Sequence, residues 1–332
     1  MKINNLTVLG AGNMGTAVAQ TLGVNGHKVK LWNVESDLEP LEQIKANQEN
    51  IKYFPGLKLS SNIQPEADLK LALEEAEVVF IVVPSTFFAK TLERAVKFMK
   101  KKVVVASLAK GMDEGKMSLL SEIMEKQLKK ISGQTVVLSG PAIARDLGQG
   151  HFTAMNIAGK NIKAVKKVEK ILENDYLKLV PTTDVVGVQL GGVCKNAYAL
   201  IFGVCDGLEL PMNTKAALMA YALREMGIII KAFGGKKETA FELAGVGDLI
   251  GTSFSPHSRN RRCGEHVGKG KKVHEATAAV GQVVEGVKTL DLLLKLAKKK
   301  KIKLPLVEMI KKVIVDGKSA KEELVIFLHK TF

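Results

Sequence analysis

Apolar positions in the first 180 residues come in short clusters, unbroken at 78–83 and nearly so at 103–107 and 136–139. They fall at residues 6–10, 27–32, 77–83, 103–107, 136–139, 152–157 and 177–180, with helix-like stretches between them. Unbroken runs, as opposed to alternating ones, suit parallel strands buried on both faces. After Pro181 this pattern stops and helical spacing runs nearly to the end. A long helix is predicted over 212–233 and stopped by Gly234-Gly235, with others near 282–300, 306–316 and 320–329. The chain thus reads as α/β with a mostly parallel sheet over residues 1–183. An all-helical domain follows over 184–332, with no flexible linker and a cleft expected between the halves.

The first apolar run passes straight into G-A-G-N-M-G, in which Gly10, Gly12 and Gly15 satisfy G-x-G-x-x-G. A helical stretch and a second strand, H-K-V-K-L-W, follow within about 30 residues, the context that this motif requires. One glycine makes the turn, one lets the backbone approach a pyrophosphate, and one lets helix and strand pack closely. The first domain is therefore expected to be a dinucleotide-binding Rossmann domain, with Gly10, Gly12, Asn13, Met14 and Gly15 on the cofactor. The second strand ends L-W-N-V-E-S-D, with no arginine to meet a 2′-phosphate. Glu35 or Asp37 is placed to bond a ribose diol, which leans the choice to NAD over NADP, while Lys28 or Lys30 offers a cation within reach of a phosphate.

Two later strands lead into L-A-K-G-M-D and G-P-A-I-A-R-D, loops that open on the ligand side of such a sheet. Lys110 on the first is suited to a phosphate or carbonyl oxygen, or is a surface lysine. In the second half, residues 184–206 carry one charge between two terminal aspartates, Lys195. A membrane span is disfavoured by that mid-span lysine, at roughly 3 kcal/mol, and by Gln189, Asn196 and four glycines. A buried helix remains, with Val188, Gly192, Lys195 and Ala199 on one face. An amine buried there without a fixed partner would be tuned for proton transfer. The alternative is a structural lysine, snorkelling or paired with a carboxylate. Further on, Asp248 follows two glycines, and Ser258-Arg259-Asn260 at a helix start reads as a phosphate cradle or as a capped helix with solvent-facing arginines. Arg261 and Arg262 would add positive potential.

Composition narrows the partners. A net charge of +15 on 332 residues calls for an anionic partner, but the lysines lie in short surface-like runs without base-stacking aromatics. Of nucleic acid, a membrane surface and a phosphorylated metabolite, this disfavours nucleic acid. Three unpaired cysteines, Cys194, Cys205 and Cys263, read as reduced thiols, with no metal site. The start of the chain leaves no room for a signal peptide, so a cytoplasmic location is expected.

Taken in order, G-A-G-N-M-G-T-A, Y-F-P-G, S-L-A-K-G, L-S-G-P, G-V-x-L-G-G-x-x-K-N, N-T-K-A-A-L, A-G-V-G-D-L, S-R-N-R-R and V-V-E-G resemble the bacterial-type soluble NAD(P)-dependent glycerol-3-phosphate dehydrogenase family over nearly the whole chain. The resemblance implies a Rossmann domain followed by a helical domain of the 6-phosphogluconate dehydrogenase type. It implies hydride transfer between NAD(P)H and dihydroxyacetone phosphate, supplying glycerol 3-phosphate for phospholipid synthesis, in a homodimer. It makes Lys195 the proton donor and acceptor, and puts Lys110, Gly140, Asp248, Ser258, Arg259 and Asn260 on the substrate. Lys110, Arg259, Ala144, Val283 and Glu285 would line the cofactor. Two positions depart from the pattern: Ala142 stands where serine is frequent, and Asn33-Val34 where a basic residue often follows the second strand. Rival readings are a dehydrogenase of another 2-hydroxy or branched acid, and a dinucleotide sensor without turnover.

Overall fold

The computed structural model describes residues 5–113, 115 and 117–331. The chain divides into two compact units, one ending at Val185 and the other beginning at Val186.

The first unit is built on an eight-stranded sheet. Its strands are β1 (Leu6–Leu9), β2 (Val29–Trp32), β3 (Ile63–Pro65), β4 (Val78–Ile81), β5 (Val104–Ser107), β8 (Gln134–Ser139), β9 (Thr153–Ala158) and β10 (Leu177–Thr182). A separate hairpin pairs β6 (Met112–Asp113) with β7 (Ser118–Leu119). The sheet order is β10-β9-β8-β5-β4-β1-β2-β3, parallel throughout except between β8 and β9. Each central strand serves two cores. Val78 and Phe80 enter one and Val79 and Ile81 the other, and Val104 and Ala106 are divided from Val105 in the same way. That two-sided burial is why the sequence shows unbroken apolar runs.

Strand β1 lies between β2 and β4, with Leu9 level with both Trp32 and Ile81. The chain order therefore reverses at β1, the switch point where sheets of this kind bind ligands beyond the carboxyl ends of their strands. Helix α1 (Asn13–Val24) starts there, α2 (Glu39–Asn47) and α3 (Leu69–Leu73) follow along the chain, and α4 (Ser85–Val96) follows β4. Helices α5 (Leu120–Leu128), α6 (Ala144–Gly148) and α7 (Ile162–Leu172) complete the helices of this unit, and α6 packs on α1.

The second unit is helical. At its centre, α8 (Val185–Gly207) is long and apolar enough to cross a membrane, yet its most apolar window is 89% buried inside the fold. An all-round hydrophobic helix enclosed by protein is a core helix. It is followed by α9 (Met212–Ala232), α10 (Asp248–Ser253), α11 (Arg259–Gly268), α12 (Val273–Val280), α13 (Glu285–Lys300), α14 (Pro305–Ile314) and α15 (Ala320–Thr331), with α12 packed on α11 and α15 on α14. Helix α9 turns Leu218, Ala222, Glu225, Met226 and Ile229 inward, on one face at helical spacing.

Glu225 is 1% exposed and accepts hydrogen bonds from the main-chain N–H groups of Leu306 (2.9 Å) and Val307 (3.1 Å) and from the Tyr198 hydroxyl (3.1 Å). It thereby caps the start of α14 and joins it to α8 and α9. Burial outweighs these donors and pushes its carboxyl up to about 7. A group with a raised folded pKa holds its proton in the folded state while the unfolded chain releases it. Its stabilisation is therefore full below the ordinary carboxylate pKa and is lost as pH rises toward 7. Thermal unfolding of wild type and Glu225→Gln at pH 5 and pH 8 tests this. Wild type should lose stability relative to the variant on going to pH 8, by at most about 3 kcal/mol. A pH-independent difference would refute the titration.

Candidate active site

In the first unit the three glycines of the opening turn meet three different surroundings. Gly10 has φ +112°, and a β-carbon there would sit 2.6 Å from the Val82 carbonyl oxygen. At Gly15 it would lie 1.7 Å from the Gly10 oxygen, so helix and turn pack main chain to main chain. At Gly12 it would meet nothing within 4 Å. The turn is closed on two sides and open on the third, beside the first N–H groups of α1, and no side chain caps that helix. This fits a dinucleotide: the open side admits a pyrophosphate to the backbone and the helix start attracts it. Asn13 is exposed at the first helical position, and Met14 packs against the sheet core.

The end of β2 is tied to this turn, because Gly10 N–H donates to the Trp32 oxygen (2.8 Å) and Ala11 N–H to Asn33 Oδ1 (3.2 Å). Neither acid beyond β2 stands alone. Asp37 accepts from Lys52 (2.8 Å), Tyr53 (2.8 Å) and Asn33 (3.1 Å). Burial pushes its carboxyl up, but these three donors prevail and hold it below the ordinary range. Glu35 is gripped by both terminal nitrogens of Arg94, and that pairing lowers its carboxyl too. The sequence reading found no arginine for this place. One is present, supplied by α4 from 59 residues further along the chain, which local sequence could not reveal. Lys30 is turned away and donates to the Leu71 carbonyl (2.5 Å).

Lys110 Nζ donates to the Gly140 carbonyl (3.2 Å), so the two loops read as ligand-facing meet. Gly140 has no room for a side chain, since a β-carbon would lie 2.8 Å from Met155 Cα. Ala144 opens α6, and both it and Ala142 pack partly buried against the sheet core.

In the second unit, glycines on α8 let neighbours approach to backbone contact. A β-carbon at Gly191 would stand 2.3 Å from the Ala244 oxygen, within a π-helical turn, Leu243–Gly247. Asp248 follows that turn, and Lys195 lies one helical turn past Gly191. The outcome is an ion pair of 2.8 Å between Lys195 Nζ and Asp248 Oδ1, with the lysine side chain 12% and the aspartate 3% exposed. Lys195 also donates to Thr252 Oγ1 (2.6 Å). Of the two readings open for Lys195, the structure has the one paired with a carboxylate: its charge is balanced by the buried Asp248. Thr252 was missed by the sequence reading, although Asp248 and Thr252 at i, i+4 share a helix face and could have signalled it.

A second glycine contact positions α11. A β-carbon at Gly203 would be 1.9 Å from the Arg261 oxygen, and one at Gly264 would be 1.9 Å from the Leu200 oxygen. Gly207 and Gly268 repeat the contact one turn on, so two G-x-x-x-G faces run side by side in the same direction. This registers the start of α11 with the level of Lys195. Asn260 Nδ2 reaches Asn196 Oδ1 (3.0 Å), Asn260 Oδ1 accepts from Gly286 N–H (2.9 Å), and Asn196 donates to Glu285 (3.2 Å). Ser258 is the N-cap and accepts from Arg261 N–H (3.3 Å). Arg259, at the first helical position, is exposed and has no ion pair among the described residues. Arg261, read as free positive potential, is instead held by Asp206 (2.6 Å), which also takes Lys215 (2.5 Å). Val283 lies 66% exposed just before α13.

The sequence profile described as the NAD-dependent glycerol-3-phosphate dehydrogenase N-terminus matches residues 5–165, and its C-terminal counterpart matches 184–325. The chain belongs to that family. It is 38% identical over 316 residues to the glycerol-3-phosphate dehydrogenase [NAD(P)+] of Bacillus subtilis, covering 95% of this chain and 91% of the relative. A solved glycerol-3-phosphate dehydrogenase from Coxiella burnetii superposes with a TM-score of 0.90 at 34% identity, over 97% of this chain and 98% of that one. The Plasmodium falciparum glycerol-3-phosphate dehydrogenase, at 24% identity, shares the fold with a TM-score of 0.91 over 100% and 97% of the two chains.

The glycine contacts around α8 make a direct prediction about this family member. Gly203→Ala must push α8 and α11 apart, costing at least about 1–3 kcal/mol and disturbing the Asn196–Asn260 bond. Calorimetry should show a lowered Tm, and an unchanged Tm would mean that the backbone contact carries no weight.

Proposed function

We propose that the chain catalyses reversible hydride transfer between NAD(P)H and dihydroxyacetone phosphate, giving sn-glycerol 3-phosphate. The observation that carries this reading is Lys195, a buried amine fixed by Asp248 and Thr252 at the level of a helix start that presents Arg259. Family membership supports it.

Gly10, Gly12, Asn13, Met14 and Gly15 would hold the dinucleotide, with Lys110, Ala144, Arg259, Val283 and Glu285 as its further contacts. When bound, the nicotinamide supplies the hydride. In the reducing direction Lys195 donates a proton to the substrate C2 oxygen, and as a neutral amine it takes the proton back in reverse. An ammonium has three N–H groups. Asp248 and Thr252 engage two of them, which aims the third at the substrate. Asp248 also balances the charge of Lys195 so that the amine can be buried. The N–H groups at the start of α11, the Ser258 region and the Arg259 fork receive the phosphate. With both polar ends of its side chain bonded inside the fold, Asn260 serves the phosphate through its main-chain N–H and by fixing the helix start. Lys110 and Gly140 act together on the substrate, the carbonyl holding the ammonium in place.

The finer readings belong to the same proposal. The enzyme works as a cytoplasmic homodimer that supplies glycerol 3-phosphate to phospholipid synthesis, which the family resemblance supports.

Initial rates with NADH and NADPH, against dihydroxyacetone phosphate and the unphosphorylated ketone, test the reaction. Activity confined to the phosphorylated ketone is expected, and equal rates on both would overturn the phosphate assignment. Lys195→Ala should lower kcat by about 10²–10⁴-fold with cofactor affinity kept, and near-normal turnover would remove it from the proton step. Arg259→Ala should chiefly raise KM for the phosphorylated ketone, by about 10–100-fold for a lost charged hydrogen bond.

A further inference from the structure

Beyond β2, the ion pair of Glu35 and Arg94 joins two residues that recognise opposite chemistry. A carboxylate at this place accepts from the 2′-hydroxyl of an adenosine ribose, whereas a guanidinium binds a 2′-phosphate through two parallel hydrogen bonds. Asp37, the other acid there, already receives Lys52, Tyr53 and Asn33. Glu35 and Arg94 are more open, with side chains 58% and 39% exposed. The bonds from Gly10 and Ala11 to Trp32 and Asn33 fix this strand end against the pyrophosphate turn, where the adenosine ribose of a bound dinucleotide would lie. The Arg94 guanidinium lies 5.9 Å from the centre of the Trp32 ring, a cation–π contact.

We propose that the Glu35–Arg94 pair is the cofactor-selecting element of this chain: Glu35 serves the ribose diol of NADH, and the 2′-phosphate of NADPH displaces Glu35 from the Arg94 fork. The proposal rests on the dinucleotide reading of the Gly10–Gly15 turn. It also explains how a chain with Asn33-Val34 after β2 accepts a 2′-phosphate, because the cation comes from α4. Exchange of one anion for another on a single guanidinium leaves the rest of the site unchanged, so one pocket serves both cofactors. The two side chains then push selectivity in opposite directions.

Trp32 is the only tryptophan in the chain, so its fluorescence reports on Arg94 without any turnover. The experiment titrates the full-length protein with adenosine 2′,5′-bisphosphate and with 5′-AMP, following Trp32 emission. Kd values for NADPH and NADH are measured in parallel by calorimetry. Wild type should bind the bisphosphate at least tenfold more tightly than 5′-AMP. Arg94→Ala should abolish that gap and lower the NADPH-over-NADH preference at least tenfold. Glu35→Gln, which breaks the pair but keeps the shape, should widen the gap and raise the preference. Equal binding of the two nucleotides to wild type, or a gap that survives Arg94→Ala, overturns the proposal while leaving the dinucleotide site intact. So does a shift of both variants in the same direction, the mark of a merely structural pair. Failure of all four ligands to bind overturns the proposal together with the glycine-turn reading beneath it.

Discussion

Backbone contact along α8 is the constraint on which the helical unit depends. Most helices meet through side chains, at axial separations of 8–10 Å that leave each helix some freedom to slide. Here a β-carbon at Gly191, Gly203 or Gly207 would lie within 2.3 Å of a main-chain oxygen, so the neighbours have one register only. Gly191 seats the π turn that delivers Asp248, and the Gly203 and Gly207 face aligns α11. Lys195 and Asn196 lie between these two contacts. The polar residues are therefore placed by the absence of side chains elsewhere on the same helix. Wide π turns are found often at functional sites, and this one ends on the residue that pairs with the buried amine.

The same logic governs charge. A half-buried lysine paired with a buried aspartate stabilises a fold little, because removing two ions from water costs nearly what their attraction returns. Such a pair persists when the amine has work to do. The surrounding side chains spend their polar atoms on geometry: Asn260 joins α11 to α8 and to the start of α13, and Arg261 is absorbed by Asp206. Arg259 is left outside that bonding. Two arginines two residues apart on one helix thus have different fates, set by which side of α11 faces α8.

What could be read from the sequence follows from the range of the interaction. The central strands with burial on both faces and the glycine turn are local patterns that appear where their residues placed them, whereas the three-residue edge strand β3 and the β6–β7 hairpin were too short to read and β10 buries one face only. The start of α11 at Ser258–Arg259 was similarly legible, since capping is a local rule. Which carboxylate pairs with Lys195 was not read, because Asp248 lies 53 residues away and reaches it only where the π turn packs on Gly191. The arginine at the end of β2 was hidden for the same reason. It reaches Glu35 from α4 by the sheet order β4-β1-β2, which places elements distant in the chain side by side.

Asn33-Val34 at the end of β2 carries no cation, and hydrogen bonds hold this strand end in place. Asn33 spends its amide on Ala11 N–H and on Asp37, so it ties the pyrophosphate turn to the strand end as a larger basic side chain pointing outward could not. Rigidity of the turn and recognition of the ribose are then served by different residues. In the proposed exchange recognition passes to Glu35 and Arg94, whose side chains are 58% and 39% exposed, while Asn33 is 7% exposed. Separating the two tasks lets selectivity at the ribose change without disturbing the backbone that receives the pyrophosphate.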